Sequence, residues 1–348
     1  MVPALSPAPV LQADRAHVLE RTAGLWPELR GARLLVTGGT GFVGAWLLEG
    51  LVAANERLDA RVNALVLTRD PDGFTARFPH LARGRGVTLH RGDVRTFDAP
   101  GTFTHVIHGA ASADAALYVR EPLAMFDTIV QGTRRTLERA DRDAATVLLV
   151  SSGAVYGPQP PDLVRVGEEY RGAPDPLDAG QLYGEAKRAA ELLGGIHARE
   201  SGLPVTIARL FAFVGPYLPL DRHFAVGNFI RDRLAGGPVA VQGDGTPVRS
   251  YLYGADLAVW LWTILVRGVM GRPYNVGAER ALSIAEVARV VAQADTPPVA
   301  VTVARAPLPG APATRYVPDT SRARTELGLD EWIGFEDGVR RTLAWAAA

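Results

Sequence analysis

A tyrosine and a lysine are spaced for proton transfer in the segment Tyr183-Gly184-Glu185-Ala186-Lys187. The segment lies at the start of a predicted helix, where residues four apart share one face. The Lys187 ammonium can then sit beneath the Tyr183 phenol, favour the phenolate and lower the pKa of Tyr183 toward the working pH. Such a phenol can shuttle a proton to or from a bound substrate. An ordinary surface pair is the structural alternative.

A serine ends an apolar run in Val147-Leu148-Leu149-Val150-Ser151-Ser152 and is followed by Gly153-Ala154-Val155-Tyr156-Gly157. A hydroxyl at the carboxyl end of a parallel strand points into the crevice where such sheets bind their ligands. We expect Ser152 to hydrogen-bond the substrate oxygen that Tyr183 protonates or deprotonates. A plain turn after a strand is the alternative.

Three glycines, Gly38, Gly41 and Gly44, interrupt the segment from Leu34 to Leu48, between an apolar strand and an amphipathic helix. One lets the chain reverse, one lets the backbone approach a ligand, and one lets the helix pack against its strand. Amide groups at the start of the helix, with the positive end of its dipole, then face a pyrophosphate. A tight turn before a buried helix would use the same residues.

The composition indicates a globular chain without net charge. Its 348 residues are 47% hydrophobic, enough for one large domain or two closely joined ones. Lys plus Arg equals Asp plus Glu at 37 each, so no overall field attracts nucleic acid or an anionic membrane. The absence of cysteine excludes disulfides, thiolate metal sites and thiol nucleophiles. We expect an intracellular, cytoplasmic protein, because no secretion signal and no bilayer-spanning run is evident.

Strand-like and helix-like segments alternate from Arg33 onward, which predicts an α/β fold with a Rossmann-type doubly wound parallel sheet. Strands are predicted at 33–37, 63–68, 87–92, 105–108, 146–151 and 205–209, and helices at 43–54, 74–82, 114–140 and 181–201. Shorter elements past residue 215 predict a smaller mixed α/β lobe, with helices at 222–235, 254–267, 283–294 and 335–346 and strands at 239–242, 273–276 and 299–303. The proline-rich stretch 304–318 is predicted to be a surface loop.

Three regions follow from this pattern. Residues 1–30 form an N-terminal extension, poorly ordered to about residue 12 and helical between 14 and 29. We expect residues 31–214 to form the dinucleotide-binding domain with Tyr183 and Lys187, and residues 215–348 to form a smaller lobe over the crevice that exchanges strands with it.

Together, the order and spacing of these segments resemble the extended short-chain dehydrogenase/reductases, the NAD-dependent epimerase/dehydratase group, in its nucleotide-sugar branch. The resemblance runs from Arg33 to about Trp345. It implies that Ser152, Tyr183 and Lys187 are the catalytic triad. It also implies a dinucleotide cofactor held at the glycine turn, the adenine-binding turn, the loop after the fourth strand and the catalytic helix, by Gly38, Gly41, Phe42, Val43, Gly44, Asp93, Val94, His108, Ala110, Ala111, Tyr183 and Lys187.

The end of the second strand, Leu67-Thr68-Arg69-Asp70, is where cofactor choice should be readable. Arg69 is placed to hold a 2′-phosphate by charge-assisted hydrogen bonds, which favours NADP. Asp70 keeps NAD open, because a carboxylate at this place accepts from the adenosine ribose hydroxyls.

The resemblance extends to a sugar-nucleotide pocket. It implies that Asn228 contacts the diphosphate, that Arg249 grips the phosphates, and that the turn beginning at Val241 lies near the base. Ser152 and Gly153 would face the reacting sugar. The expected substrate is therefore a nucleotide sugar, with neither nucleic acid nor a membrane as partner.

Two departures from the family pattern bear on the reaction. Where family dehydratases carry an Asp-Glu pair, this chain has Gly153-Ala154, and it lacks the glutamate of the decarboxylase type. We therefore expect neither dehydration nor decarboxylation. Ala212 and Ile129 also replace asparagines that are common in the family.

Several other residues are expected to be structural. Asp256 is expected to cap the helix that follows it. His105 and His108 have no cluster at ligand spacing around them, so structural or cofactor-loop roles are expected instead of metal binding. Trp260 and Trp262 lie in an apolar helix and are expected in the core.

Two reactions remain open. A ketoreductase would use NADPH to reduce the C4 ketone of a 4-keto sugar nucleotide while Tyr183 donates the proton. An epimerase would remove the C4 hydroxyl proton, pass hydride to tightly held NAD and return it to the other face. Arg69 and a likeness of residues 212–220 to 4-keto-sugar reductases of the CDP-abequose synthase type favour the first, whereas residues 152–156 suit 4-epimerases equally. A catalytically silent dinucleotide-binding sensor is the third reading.

Family members often dimerise through the helices after strands four and five. The corresponding segments here are 114–140 and 181–201. A homodimer is therefore expected.

Overall fold

The alternating segments form a parallel sheet of seven strands. The structure is a computed structural model that describes residues 9–111, 115–222 and 224–347. Its strands are β1 (Arg33–Thr37), β2 (Asn63–Thr68), β3 (Val87–Arg91), β4 (His105–His108), β5 (Thr146–Ser152), β6 (Val205–Leu210), β7 (Phe213–Val214), β8 (Val239–Val241), β9 (Val248–Arg249), β10 (Leu252–Tyr253), β11 (Pro273–Val276), β12 (Leu282–Ser283), β13 (Val301–Val303) and β14 (Arg315–Tyr316). The main sheet has the order β11-β6-β5-β4-β1-β2-β3.

Helices cover this sheet, and two predicted helices are each split in two. The helices are α1 (Pro9–Thr22), α2 (Phe42–Arg57), α3 (Pro71–Arg77), α4 (Pro79–Ala82), α5 (Ala115–Arg120), α6 (Pro122–Asp143), α7 (Leu182–Glu200), α8 (Ala225–Leu234), α9 (Gly254–Arg267), α10 (Ile284–Gln293), α11 (Ser321–Leu327) and α12 (Phe335–Ala346). Pro79 and Pro122 each start a helix because proline fits a first turn but cannot continue the preceding helix. Residues 114 and 223, which fall in predicted helices, lie outside the described residues.

The central strands are buried on both faces. Every residue from Val147 to Ser152 is buried, which is the pattern of a parallel strand with helices above and below it. The predicted Rossmann-type α/β fold is confirmed. Because all seven strands run in one direction, the carboxyl ends of β1, β4 and β5 meet at one edge, where ligands bind in such sheets.

The N-terminal helix begins and ends earlier than predicted, since it ends at Thr22 and residues 23–29 form turns. It begins at Pro9, so the expectation of poor order is wrong for residues 9–12, while residues 1–8 lie outside the described part of the chain. It packs on α2 and α9 and buries Asp14 completely. The Asp14 carboxylate accepts hydrogen bonds from the Tyr253 hydroxyl and from Arg341, both at 2.6 Å. These bonds tie α1 to the C-terminal part of the chain.

The C-terminal elements form small sheets and also extend the main one. Strands β7 and β10 pair with each other, as do β8 and β13, while β9 lies between β12 and β14. Strand β11 pairs with β6 and so lies at one edge of the main sheet. The stretch 304–318 is not a plain loop, because β14 lies within it and pairs with β9. The boundary between 214 and 215 stays a prediction.

Asp256 does not cap a helix. Strand β10 ends at Tyr253 and α9 begins at once, so Asp256 lies inside the first turn of that helix. It is fully buried and accepts hydrogen bonds from the backbone amides of Trp332 and Ile333, with His17 Nε2 at 2.8 Å. Its role is to hold the chain before α12.

Trp260 and Trp262 are buried, as predicted. Within the described ranges, none of the helices is both long enough and apolar enough to cross a bilayer.

The close contact between α2 and the glycine turn gives a stability prediction. A Cβ built on Gly44 would lie 2.3 Å from the Gly39 backbone, whereas Gly195, in α7, has nothing within 4 Å. Gly44→Ala should therefore lower the free energy of unfolding by about 1–3 kcal/mol through overpacking. Gly195→Ala, the control, should raise it by about 0.5–1 kcal/mol through helix propensity. Urea unfolding of both variants is the measurement, and a stabilised Gly44→Ala variant would contradict the close approach.

Candidate active site

The glycine turn brings β1, α2 and the loop after β4 together. Gly38 has φ +73°, and a Cβ there would lie 2.5 Å from the Gly109 carbonyl. Gly41 precedes α2 with extended backbone and no side-chain cap. The first amide groups of α2 therefore have no side-chain acceptor from this residue, which suits an anion at the helix start.

A cleft of about 710 Å³ lies along this edge of the sheet. Its size falls in the range of small-molecule and cofactor sites. Of the predicted cofactor residues, those that line it are Gly38, Gly41, Arg69, Asp93, Val94, Ala110 and Ala111. The remaining predicted contacts, Phe42, Val43, Gly44, His108, Tyr183 and Lys187, are not part of its lining. The glycine turn and the cleft together fit a dinucleotide.

Asp93 lines the cleft with its charge already paired. Its carboxylate accepts from the backbone amide and Nε of Arg95 at 2.9 Å each and from Nη2 at 2.8 Å. The hydrogen bonds from Arg95 hold the pKa of Asp93 at about 2. A carboxylate in this state can only accept hydrogen bonds, which suits the exocyclic amine of adenine.

Arginines surround the far end of the cleft. Arg69 and Arg77 both line it, and among the described residues no carboxylate lies within ion-pair distance of Arg69. Asp70 also lines the cleft, but its carboxylate accepts from the Gly73 amide at 3.0 Å and caps α3.

His108 is a buried structural residue beneath the cleft. Its Nε2 lies 2.9 Å from Thr133 Oγ1, and its Nδ1 lies 2.7 Å from Thr37 Oγ1. Because the Thr133 hydroxyl donates to the Ile129 carbonyl, Thr133 accepts from His108 Nε2–H and the Thr37 hydroxyl donates to Nδ1. Burial lowers the pKa of His108 to about 3, so the ring is neutral. Within the described residues, no group of three or more His, Cys, Asp or Glu side chains could hold a metal ion.

Tyr183, Lys187 and Ser152 lie together at the carboxyl end of β5. Lys187 is 3% exposed and donates to the Val150 carbonyl at 2.8 Å. Its Nζ lies 5.9 Å from the centre of the Tyr183 ring. Ser152 Oγ accepts from the Ala154 amide at 3.2 Å, and its side chain lies close enough to Tyr183 to favour the phenolate. The three residues predicted to act together are thus neighbours.

The expectation of a lowered Tyr183 pKa is wrong for this structure. Burial raises the pKa of Tyr183, and the hydrogen bond from Ser152 offsets this only in part. The Lys187 ammonium lies under the ring and is bonded to the Val150 carbonyl, so it does not compensate for the loss of water around the phenol. Burial also lowers the pKa of Lys187, to about 8.

A half-buried ion pair holds α7 one turn beyond Lys187. Glu191 accepts from the Ser151 hydroxyl at 2.6 Å and from Arg209 Nε at 3.0 Å and Nη2 at 2.7 Å. Arg209 also donates to the Tyr156 hydroxyl at 2.8 Å. Since Tyr183, Lys187 and Glu191 are four residues apart, they share one face of α7.

The predicted substrate residues lie on several elements. Arg249, in β9, donates to the Val248 carbonyl and lies 5.9 Å from the Tyr316 ring centre. Asn228 is half-buried on α8 with Arg231 beside its side-chain oxygen, and Val241 is buried at the end of β8.

Tyr316 is a site residue that sequence reasoning missed. Its hydroxyl lies 3.3 Å from both Ser152 Oγ and the Leu210 carbonyl. It belongs to β14, inside the stretch predicted to be a surface loop. The alternating residues of Thr314-Arg315-Tyr316-Val317 were the available signal, but the four prolines of the stretch 304–318 masked it.

Residues 34–277 match the profile of the NAD dependent epimerase/dehydratase family. The chain belongs to this family. A curated member, UDP-glucuronic acid decarboxylase 6 of Arabidopsis thaliana, is 32% identical over 307 residues, which are 88% of this chain and 86% of the relative.

Solved structures of the family have the same fold. A dTDP-glucose 4,6-dehydratase from Streptomyces venezuelae, solved with NAD and TYD bound, has a TM-score of 0.74 at 26% identity and covers 90% of this chain and 96% of its own. A UDP-glucuronic acid 4-epimerase from Bacillus cereus was solved with UDP-glucuronic acid and NAD. It has a TM-score of 0.75 at 21% identity, and the match covers 90% of this chain and 98% of the epimerase chain. At the latter identity the likeness is one of fold alone.

Lys187 is the only lysine in this family member, although Lys and Arg total 37. It therefore gives a single NMR signal in protein labelled at the lysine side chain, and its pKa can be measured directly.

We predict that Glu191→Gln lowers the pKa of Lys187 below its value of about 8. The Glu191 carboxylate favours the charged ammonium, so its removal leaves burial less opposed. Glu185→Gln is the matched control, because Glu185 lies on the same helix beside Arg188. An unchanged Lys187 titration in Glu191→Gln would show that the ion pair serves only the fold.

Proposed function

We propose that the chain uses NADPH to reduce the C4 ketone of a nucleotide-activated 4-keto sugar. The observation that carries the proposal is the arginine pair Arg69 and Arg77 on the cleft, with the Asp70 carboxylate turned to the amide that it caps. Two guanidinium groups favour a 2′-phosphate, which distinguishes NADP from NAD. The nucleotide-sugar class is supported by the curated relative, whose name gives a UDP-sugar substrate.

The triad suits a proton donor. A bound nicotinamide cofactor supplies hydride to the ketone carbon. Tyr183 donates its phenolic proton to the C4 oxygen of the sugar. Ser152 donates a hydrogen bond to the same oxygen while negative charge develops on that oxygen. Because burial raises the pKa of Tyr183, the phenol is protonated at neutral pH, as this direction of reaction requires. The Lys187 ammonium then stabilises the phenolate that remains.

Dehydration and decarboxylation are less well supported, although the curated relative is a decarboxylase. Positions 153 and 154 carry glycine and alanine, so no acid or base lies there. A Cβ on Gly153 would lie 2.6 Å from the Phe211 ring. Any side chain at this position would therefore have to displace that ring. The nearby Glu191 carboxylate is already bonded to Ser151 and Arg209.

The reductase assay follows NADPH absorbance with 4-keto-6-deoxy sugars linked to CDP, dTDP, UDP or GDP. We expect oxidation with at least one of these, and a loss of about 100-fold or more in Tyr183→Phe because the proton donor is gone. Tyr170→Phe should retain activity, since Tyr170 packs in a neighbouring cluster. No absorbance change with any of the four ketones would refute the reductase.

A 4-epimerase is the second candidate. Residues 152–156 suit it equally, and the fold matches that of the UDP-glucuronic acid 4-epimerase from Bacillus cereus. This reading expects NAD to be released when the purified protein is denatured, and sugar nucleotides to interconvert without net NADPH oxidation. A cofactor-free preparation that binds NADPH reversibly would favour the reductase.

Cofactor choice gives a prediction that is independent of the substrate. Arg69→Ala should weaken NADP binding about tenfold or more, because a charge-assisted bond to the 2′-phosphate is lost, while NAD binding changes little. Titration calorimetry with both cofactors measures this. Arg57→Ala, at an exposed position ending α2, is the control. Equal losses for both cofactors would mean that Arg69 does not select a phosphate.

A further inference from the structure

Tyr316 brings a third hydroxyl to the catalytic serine from a distant part of the chain. Strand β14 pairs with β9, which places Tyr316 opposite Arg249 in register. The Tyr316 ring packs on Phe211 in a tilted pair with ring centres 4.6 Å apart and joins Tyr156 and Val155 in one apolar cluster. This packing holds the ring with its hydroxyl 3.3 Å from Ser152 Oγ.

The direction in which the Ser152 hydroxyl hydrogen points depends on the Tyr316 hydroxyl. Ser152 Oγ already accepts from the Ala154 amide, and the Tyr316 hydroxyl has two acceptors at 3.3 Å, Ser152 Oγ and the Leu210 carbonyl. If Tyr316 donates to Ser152, both acceptor positions of that oxygen are filled and its own hydrogen must point outward. If Tyr316 donates to Leu210, Ser152 can donate back to Tyr316 and its hydrogen is withdrawn from the crevice.

We propose that Tyr316 is a positioning residue that directs the Ser152 hydrogen toward the reacting oxygen. The inference rests on the proposed function for its kinetic consequence, but the hydrogen-bond chain itself does not. The substitution Tyr316→Phe removes the hydroxyl and keeps the ring, so it tests the hydrogen-bond chain separately from the packing.

The kinetic test uses Tyr316→Phe, Ser152→Ala and the double variant. Tyr316→Phe should lower kcat about fivefold, the value of one hydrogen bond, with KM for the sugar nucleotide changed less than about twofold. In the Ser152→Ala background the same substitution should have no further effect, because it acts through that serine. Tyr170→Phe removes a hydroxyl from the same cluster and is the control. Additive effects in the double variant would overturn the proposal.

A second readout needs no substrate. Titration of protein labelled at tyrosine Cζ, with Tyr183→Phe assigning the signal, gives the pKa of Tyr183. The titratable groups that face it are Lys187 on its own helix, Tyr118 from α5 and Tyr316 from β14. Loss of the Tyr316 hydroxyl weakens the bond from Ser152 to the phenolate, so the Tyr183 pKa should rise.

The two readouts separate the possible failures. If no variant oxidises NADPH, but Tyr316→Phe raises the Tyr183 pKa in the native chain and does not raise it further when added to Ser152→Ala, the proposed function fails and the hydrogen-bond chain stands. If NADPH is oxidised and the pKa is unmoved or falls, the role of Tyr316 is wrong.

Discussion

The Lys187 ammonium, bonded to the Val150 carbonyl in the interior, is the constraint on which the site depends. Burying a charge costs several kcal/mol unless hydrogen bonds and an opposite charge offset it. The carbonyl at the end of β5 and the Glu191 carboxylate one turn along α7 supply these two compensations. Together they fix the rotation of α7 against β5, and that rotation places Tyr183 beside Ser152.

The same constraint explains the lysine itself. Every other cationic side chain apart from histidine is an arginine, yet this position keeps the single lysine of the chain. An ammonium is compact and can approach one carbonyl from below a ring, whereas a planar guanidinium with five donors would be left with unmatched groups in this space. Its pKa of about 8 also lets it respond to charge on Tyr183 near neutral pH. The single lysine of the composition thus falls at the position that the Tyr-x-x-x-Lys spacing had singled out.

The fold could be predicted because its signals are local. The apolar runs before Gly38 and Ser152 and the spacing of Tyr183 and Lys187 lie within single elements, so pattern and structure agree. Tyr316 and Asp256 could not be placed in this way. The partners of Asp256, His17 and Trp332, are far from it in sequence, and only chain folding brings them together. The predicted direction of the Tyr183 pKa shift was wrong for a related reason. The spacing predicted a nearby ammonium, but it could not show how much water the fold removes from around the phenol.

Glu191 and Arg209 also join the catalytic helix to the C-terminal elements. Arg209 donates to the Tyr156 hydroxyl, which in turn donates to Asn275 in β11 at 2.8 Å. The Asn275 side-chain amide then bonds the carbonyls of Val166 and Asp319. Three neighbouring strands, β5, β6 and β11, are thus linked at their carboxyl ends by one chain of polar contacts.

Family membership does not by itself give the reaction, and Gly153 shows why. The family scaffold offers positions 153 and 154 for acids and bases, but here Phe211 fills the space beside Gly153. That ring packs on Tyr316, which reaches Ser152. The volume that a carboxylate would need is therefore occupied by an aromatic cluster that supports the serine. The same packing that leaves no room for a carboxylate beside Gly153 therefore also holds the Tyr316 hydroxyl near Ser152.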